Sequence, residues 1–318
     1  MSRLPSPLVL AAGLGTRLDP LTRIVAKAAV PLAGQTLIER ALGWLVREGA
    51  TDVVVNLHHR PETIAAVLGD GTHLGVRVRY SWEPGILGSA GGPRHALPLL
   101  DGDAILIVNA EPLVDCAVAP LVAAHEASGA DVTLAVVPHP APDVFSGLAV
   151  DDGGVVRAIV PKGRAAGTWH FVGVQIAAAR VFAPLPDDTP AETMNGIYGE
   201  LIAAGRVRAH PVDGPVIHVG TPAEYLDAAI ALGRTAASDT VIEPGVRDVS
   251  PSARLRRTVV WAGASIGAHV DLVNCIVTSV TLPAGFAARD AVIVPAAVAP
   301  RGERVERRGD IALFRLQA

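Results

Sequence analysis

The sequence predicts an α/β fold, a mostly parallel sheet with helices on both faces, followed by a short β-helix. Three observations carry this. Through the first two thirds of the chain, short runs of Val, Ile and Leu alternate with amphipathic helical segments. Those runs are almost continuously apolar, as strands buried on both faces must be. After about Gly233 the helical pattern stops and apolar residues recur at intervals of six.

The elements follow in order. Strands are predicted at Leu8–Ala11, Asp52–Leu57, Val76–Tyr80, Ala104–Val108 and Val132–Val137. Between them, helices are predicted at Leu37–Glu48, Pro61–Leu68 and Val118–Ser128. Thr36 with Glu39 reads as a capping box, and Gly49 stands where a helix-terminating glycine belongs. Thr221-Pro222-Ala223-Glu224 repeats the device with proline at the first helical position. GRTAASDT then reads as a linker, which divides the chain into domains 1–233 and 240–318. In the second domain Val249 and Leu255, then Val260, Ile266 and Leu272, form the six-residue series, with small residues between them as in WAGASIGAHV. In a triangular coil each side contributes one inward side chain, and about three coils fit. A small irregular β-sandwich is the alternative. Arg254, Arg256 and Arg257 read as a solvated corner; the other reading turns them toward a second copy of the chain and leaves a homo-oligomer open.

Composition excludes several roles. The 318 residues are long enough for one large and one smaller domain. Only 18% are charged and the net charge is −4, which argues against a general nucleic-acid or membrane-surface binder. Cys116 and Cys275 are far apart with no CxxC pattern, as expected of buried apolar residues in a reducing compartment. MSRLPSP has no apolar core of a signal peptide, and no apolar run approaches the ~20 residues of a membrane span. A cytoplasmic chain is expected.

The chemistry is concentrated in VLAAGLGTRLDPLTRIVAKAAVPLAG, residues 9–34. A glycine-rich turn after a first strand suggests phosphate binding, because glycine lets backbone N–H groups approach an anion closely. GxxxxGK[ST] is absent. A dinucleotide fingerprint fails at its third glycine, where Leu18 stands. Gly13, Gly15, Thr16, Arg17, Leu18, Pro20, Leu21, Thr22, Lys27 and Pro31 instead form GxGTRL-x-PLT-x(4)-K-x-x-x-P. This resembles the signature of the sugar-1-phosphate nucleotidylyltransferases, also called nucleotide-sugar pyrophosphorylases. The resemblance implies a Rossmann-like sheet and, as in several members, a left-handed hexapeptide β-helix at the C-terminus. Mannose-1-phosphate guanylyltransferase-like and muramate- or hexose-phosphate uridylyltransferase-like members have the most similar architecture.

It also assigns roles. Ala12, Gly13, Leu14, Gly15 and Thr16 would bind the nucleotide, with Arg17 as a planar fork for pyrophosphate and Lys27 as a point charge near the α-phosphate, both catalytic. EPGILGSAGGPRHAL, residues 83–97, is similar to the family's E-x(3)-LG(T/S)AG element, so Glu83 and Gly88 would meet base or ribose. FSGLAVDDGGVV would set Gly147 against the sugar, Lys162 of IVPKG would bind the sugar phosphate, and Gly173 of HFVGVQIA belongs to the strand that follows. ETMNGIYGELI resembles the next helix. The implied reaction is attack of a sugar-phosphate oxygen on the α-phosphorus of an NTP, GTP or UTP favoured, releasing pyrophosphate without a covalent intermediate.

At the metal site the match departs. Relatives hold Mg²⁺ with two aspartates, and here Glu111 and His218 stand at those positions. Imidazole suits Mn²⁺ better than Mg²⁺. Three readings stay open: another metal held by Glu111 and His218, a moved ligand such as Asp115, or a weakened homologue that binds nucleotide or sugar phosphate as a regulatory protein. Pro161 also replaces a family glutamate before Lys162. His58-His59 ends a strand and reads as packing or hydrogen bonding, no histidine pair has zinc spacing, and Asp151-Asp152-Gly153-Gly154 reads as a hairpin turn, not a calcium loop.

Overall fold

The computed structural model describes residues 4–111, 113–235, 238–300 and 305–316. Contacts divide the chain into two compact units, Met1–Gly13 with Glu39–Val216, and Leu14–Ile38 with Ile217–Ala318. This is a different cut from the compositional one: the glycine-rich loop clusters with the C-terminal part. Positions 236 and 237 of the expected linker lie outside the described residues.

The first unit is built on a nine-stranded sheet. β1 (Ser6–Leu10) lies inside it, parallel to β2 (Asp52–Leu57) on one side and β4 (Ala104–Asn109) on the other; β3 (Arg77–Trp82) extends the parallel set beyond β2. Leu8 stands opposite Val54 and Ile107, and all three are buried. That is what continuous apolar strands require when helices cover both faces. The helices of this unit are α1 (Leu37–Arg47), α2 (Pro61–Leu68), α3 (Gly88–Ala96), α4 (Val118–Ser128) and α5 (Tyr198–Ala203). Gly49, at φ 96°, closes the chain after α1 as expected.

The other half of the sheet is mixed, which the alternation pattern did not foretell. β8 (Trp169–Ala178) runs antiparallel to both β4 and β5 (Val132–Pro138), while β9 (Val207–Pro211) pairs parallel with β5. β6 (Gly147–Val150) and β7 (Val156–Val160) form a hairpin at the edge. Asp151 Oδ1 accepts the Gly153 and Val155 N–H groups in its turn, a hairpin as read from the sequence. ETMNGIYGELI is helical only from Tyr198; Asn195 and Gly196 leave helical geometry before it.

The second unit contains α6 (Pro222–Gly233), a two-strand hairpin at Pro31–Leu32 and Gln35–Thr36, and a stack of parallel strands. The capping box of α6 is present: Thr221 Oγ1 accepts from Glu224 N–H, and the Glu224 carboxylate accepts from Thr221 N–H. Strands Val241–Ile242, Arg254–Val260, Asp271–Val277 and Ala287–Pro295 pair in succession, all parallel. Asp248–Val249, Ser265–Ile266 and Thr281–Leu282 stack likewise beside them. Val260, Ile266 and Leu272 of the six-residue series are buried in one core, with Val249 and Leu255 packed against it. Arg257, Asn274 and Asp290 stack in register at one corner, each with positive φ (44°, 58° and 51°). Asn274 Nδ2 donates to Asp290 Oδ1 at 2.6 Å, and Arg257 reaches Asp227 at 2.6 Å. Arg254 and Arg256 beside it are exposed. Among the described residues no helix is long and apolar enough to cross a membrane.

Candidate functional site

Each unit holds part of the predicted constellation. In the first unit β1 ends at Leu10, and the next two residues turn their amides inward. Ala11 and Ala12 N–H both donate to Asn56 Oδ1, at 2.6 and 3.2 Å. Asn56 Nδ2 donates to Glu83 Oε1 at 2.7 Å, and Leu87 N–H donates to Glu83 Oε2 at 3.0 Å. Asn56 is 3% and Glu83 1% exposed. Burial pushes the Glu83 carboxyl above its ordinary range, opposed by the Leu87 and Asn56 hydrogen bonds and by His95 and His58. Both Glu83 oxygens are therefore held inside the protein, tying the end of β1 to the start of α3. Gly92 is required here, because a Cβ would stand 2.7 Å from Glu83 Oε1 and 2.8 Å from Asn56 Nδ2. His58 Nδ1 lies 3.0 Å from the Glu83 carbonyl, the hydrogen-bonding role expected of it.

The start of α3 is fixed from its other side. Gly88 has φ 75°, and a Cβ on it would meet Glu192 Oε1 at 2.6 Å. Ser89 Oγ donates to Glu192 Oε2 at 2.5 Å and accepts from Thr193 N–H at 2.8 Å. Gly13 by contrast is open, with nothing near its missing Cβ. Gly147 is packed over: a Cβ would stand 1.9 Å from Thr168 Oγ1 and 2.8 Å from His139 Cδ2. Gly173, at φ 82°, lies where the pairing of β8 with β5 shifts register. Lys162 is exposed in the turn after β7, where Arg164 N–H donates to the Pro161 carbonyl. Glu111 stands two residues beyond the end of β4, half-buried, and Asp115 pairs with Arg47 at 3.3 Å on the surface.

In the second unit the loop winds through short 3₁₀ turns at Thr16–Leu18, Leu21–Arg23 and Lys27–Ala29. Gly15 starts the first with φ 62°. Its carbonyl accepts from Leu18 N–H at 2.9 Å and from Thr22 Oγ1 at 3.2 Å. A Cβ on Gly15 would lie 2.8 Å from Thr22 Cγ2 and 2.9 Å from Lys27 Cβ, so Lys27 passes directly beneath the glycine and is only 9% exposed. Leu14 and Arg17 are exposed. Arg17 lies against the segment that carries His218: a Cβ on Gly220 would be 3.4 Å from Arg17 Cζ. The Glu224 carboxylate fixes that segment by accepting from both Gly220 and Thr221 N–H, at 2.7 and 2.9 Å.

A loop of glycine, threonine, arginine and a buried lysine after a first parallel strand matches one family model. That model, described as "Nucleotidyl transferase", covers residues 6–212. The chain belongs to this nucleotidyl transferase family. Mannose-1-phosphate guanylyltransferase of Mycobacterium tuberculosis is 28% identical over 85% of this chain and 79% of that protein. N-acetylmuramate alpha-1-phosphate uridylyltransferase of Caulobacter vibrioides is 31% identical over 73% of this chain and 99% of that one. Among solved structures, HddC of Yersinia pseudotuberculosis superposes with a TM-score of 0.64 at 19% identity, covering 71% of this chain and 98% of that one. It bears out the α/β fold.

Three residues of this transferase chain that matter to the site escaped sequence reasoning: Asn56, Glu192 and Glu243. Asn56 had a signal, one amide inside the apolar run VVVNL. Glu243 is buried and accepts from Ala33 and Gly34 N–H, both at 2.7 Å, a pairing across 210 positions that no local pattern encodes. Among the described residues, one trio of metal-type ligands lies together, His95, Asp187 and Asp188. Nε2 of His95 donates to the Trp82 carbonyl, leaving Nδ1 beside the two carboxylates at 3.3 and 3.1 Å. Both cysteines are buried, with their thiols pushed up to about 11, chiefly by burial, and so behave as apolar residues.

Proposed function

We propose that this chain transfers a nucleotidyl group from GTP or UTP to a sugar 1-phosphate, releasing pyrophosphate and working in the cytoplasm. The observation that carries the reading is the packing of Gly15 over Lys27, with Arg17 beside Gly220. That arrangement places one buried and one exposed cation on a loop whose glycine amides are available to an anion.

The sugar-phosphate oxygen bonds to the α-phosphorus while the bond from that phosphorus to the bridging oxygen breaks, and pyrophosphate leaves. Catalysis is positioning of two polyanions and neutralisation of the charge that moves to the leaving group. Lys27 supplies a charge of low mobility, because its stem is enclosed; Arg17 offers a planar fork to the terminal phosphates. Glu83 works through others: with both oxygens engaged, it positions the backbone at Ala11, Ala12 and Leu87. Base and ribose then meet Ala12, Gly13, Leu14, Thr16 and the Gly88 backbone. Lys162 reaches the sugar phosphate from its turn, while Gly147 and Gly173 offer backbone alone to the sugar. A divalent ion held by Glu111 and His218 would neutralise phosphate charge, and one carboxylate with one imidazole suits Mn²⁺ better than Mg²⁺. Residues 240–318 are read as a left-handed hexapeptide β-helix that follows a transferase domain of residues 1–233.

The test is pyrophosphate release from each NTP with a panel of sugar 1-phosphates, in Mg²⁺ and in Mn²⁺. Turnover abolished by Lys27→Ala supports transfer. Nucleotide binding without turnover in either metal, with turnover gained in Glu111→Asp/His218→Asp, means a binding protein instead.

A further inference from the structure

The second unit encloses a cleft of about 990 Å³ whose C-terminal wall none of the assigned roles uses. One wall is the start of the glycine-rich loop, Thr16 and Arg17; the other is strand Ala287–Pro295 with the final hairpin, Glu306–Arg308 and Ile311–Arg315. That hairpin is antiparallel to the last coil, with Arg315 opposite Ala291.

Four arginines line the cleft, and their pairing is uneven. Arg308 is neutralised in its own wall: it donates to Glu306 Oε1 at 2.7 Å and stacks over the Phe286 ring at 5.0 Å. Of the acidic lining residues, Asp19 is bound by Arg23 at 2.5 Å, and Asp290 already accepts from Asn274. Arg289 has its nearest ion-pair partner, Asp271, only at 3.9 Å. Among the described residues, Arg17 and Arg315 have no carboxylate within ion-pair distance. Arg17 and two guanidinium groups from paired C-terminal strands, Arg289 and Arg315, thus line one cleft, and among its described lining residues Asp290, held by the Asn274 amide, is the one carboxylate that no arginine engages. Such convergence is unfavourable unless a ligand supplies the charge, and the guanidinium fork fits phosphate oxygens bidentately.

We propose that this cleft binds a pyrophosphate group, with Arg289 and Arg315 as binding residues supplied by the C-terminal coils and Arg17 shared with the glycine-rich loop. The choice of pyrophosphate rests on the transferase reading, in which Arg17 faces the leaving end of a triphosphate. The group can be free inorganic pyrophosphate or the β,γ end of a bound NTP.

Calorimetric titration of the full chain with inorganic pyrophosphate tests this. Arg289→Ala/Arg315→Ala should weaken binding about tenfold or more, as loss of charge-assisted hydrogen bonds implies. Arg254→Ala, an exposed arginine outside the cleft, should leave it unchanged. Wild-type affinity should fall more steeply with salt than that of the double variant, a readout that a folding defect does not mimic. Titration with NTP and with the nucleoside monophosphate separates the sources. Weakened NTP binding with unchanged monophosphate binding identifies the bound tail, and unchanged NTP binding identifies the free product. Pyrophosphate affinity within about twofold of wild type in the double variant overturns the proposal. If the chain turns over while that affinity is unchanged, the cleft fails and the transferase reading stands. If it never turns over but the double variant loses pyrophosphate, the reverse holds.

Discussion

Asn56 Nδ2 donates to Glu83 Oε1 at 2.7 Å, in a region where both side chains are almost wholly buried. The amide is the hub of the first unit's share of the site, because its Oδ1 also receives the Ala11 and Ala12 N–H groups. Asn56→Asp would place two carboxylates at hydrogen-bond distance, and one must then hold a proton. Burial already raises the Glu83 carboxyl, so the substituted pair should be raised further. A raised carboxyl binds its proton more tightly in the folded state, so the stability it contributes is present at low pH and lost as pH rises through the folded value. Thermal midpoints of Asn56→Asp measured from pH 5 to pH 8 should therefore fall with pH more steeply than those of the wild type. Parallel curves would mean that the network is not closed as described.

Gly15→Ala should preserve the fold and damage the loop. Its φ of 62° costs an L-residue roughly 1 kcal/mol. The added methyl would also press on Thr22 and on Lys27 Cβ, which must move to admit it. The expected result is NTP affinity reduced about tenfold or more, with sugar 1-phosphate affinity and far-ultraviolet dichroism unchanged. Gly13→Ala, where the missing Cβ has open space, should show a clearly smaller loss.

Glu243 anchors the loop's downstream end. Its two oxygens take the Ala33 and Gly34 N–H groups, while Tyr225 donates its hydroxyl proton to the Pro31 carbonyl and accepts from Trp261 Nε1. Glu243→Ala leaves those two amides without their carboxylate and should destabilise by about 2–4 kcal/mol, read as a denaturation midpoint shift. Ala33→Gly should be neutral or stabilising by up to about 1 kcal/mol, because Ala33 has φ 50°. A strong loss from Ala33→Gly would show that the turn is not strained.

The residues that the sequence made legible share a cause. Leu8, Val54 and Ile107 had to be apolar because two neighbours and two helix layers surround them, and that demand is visible locally. Asp52–Leu57, Pro61–Leu68 and Val118–Ser128 fall on the bounds expected from pattern and caps. The antiparallel insertion of β8 was not legible, since an apolar strand carries no mark of its direction. Nor was the engagement of Glu83, whose partner lies 27 positions away. A carboxylate that faces ligand and one that faces an asparagine look alike in one sequence. The clustering of residues 14–38 with the C-terminal unit was hidden for the same reason: Glu243 and Tyr225 do it, from far along the chain.

With Glu111 and His218 as the proposed ligands, donor chemistry sets the expected metal preference. Imidazole nitrogen is a better ligand for Mn²⁺ than for Mg²⁺, which prefers oxygen in a strict octahedron. Wild-type turnover should therefore be faster in Mn²⁺ than in Mg²⁺ at equal concentration. His218→Asp supplies an oxygen donor and a negative charge, and on the proposed ligand set should shift the preference toward Mg²⁺ by about tenfold in the ratio of kcat/KM values. His218→Ala should lose activity in both ions while retaining nucleotide affinity in the absence of metal. An unchanged metal ratio in His218→Asp would remove His218 from the ligand set and move attention to carboxylates such as Asp115.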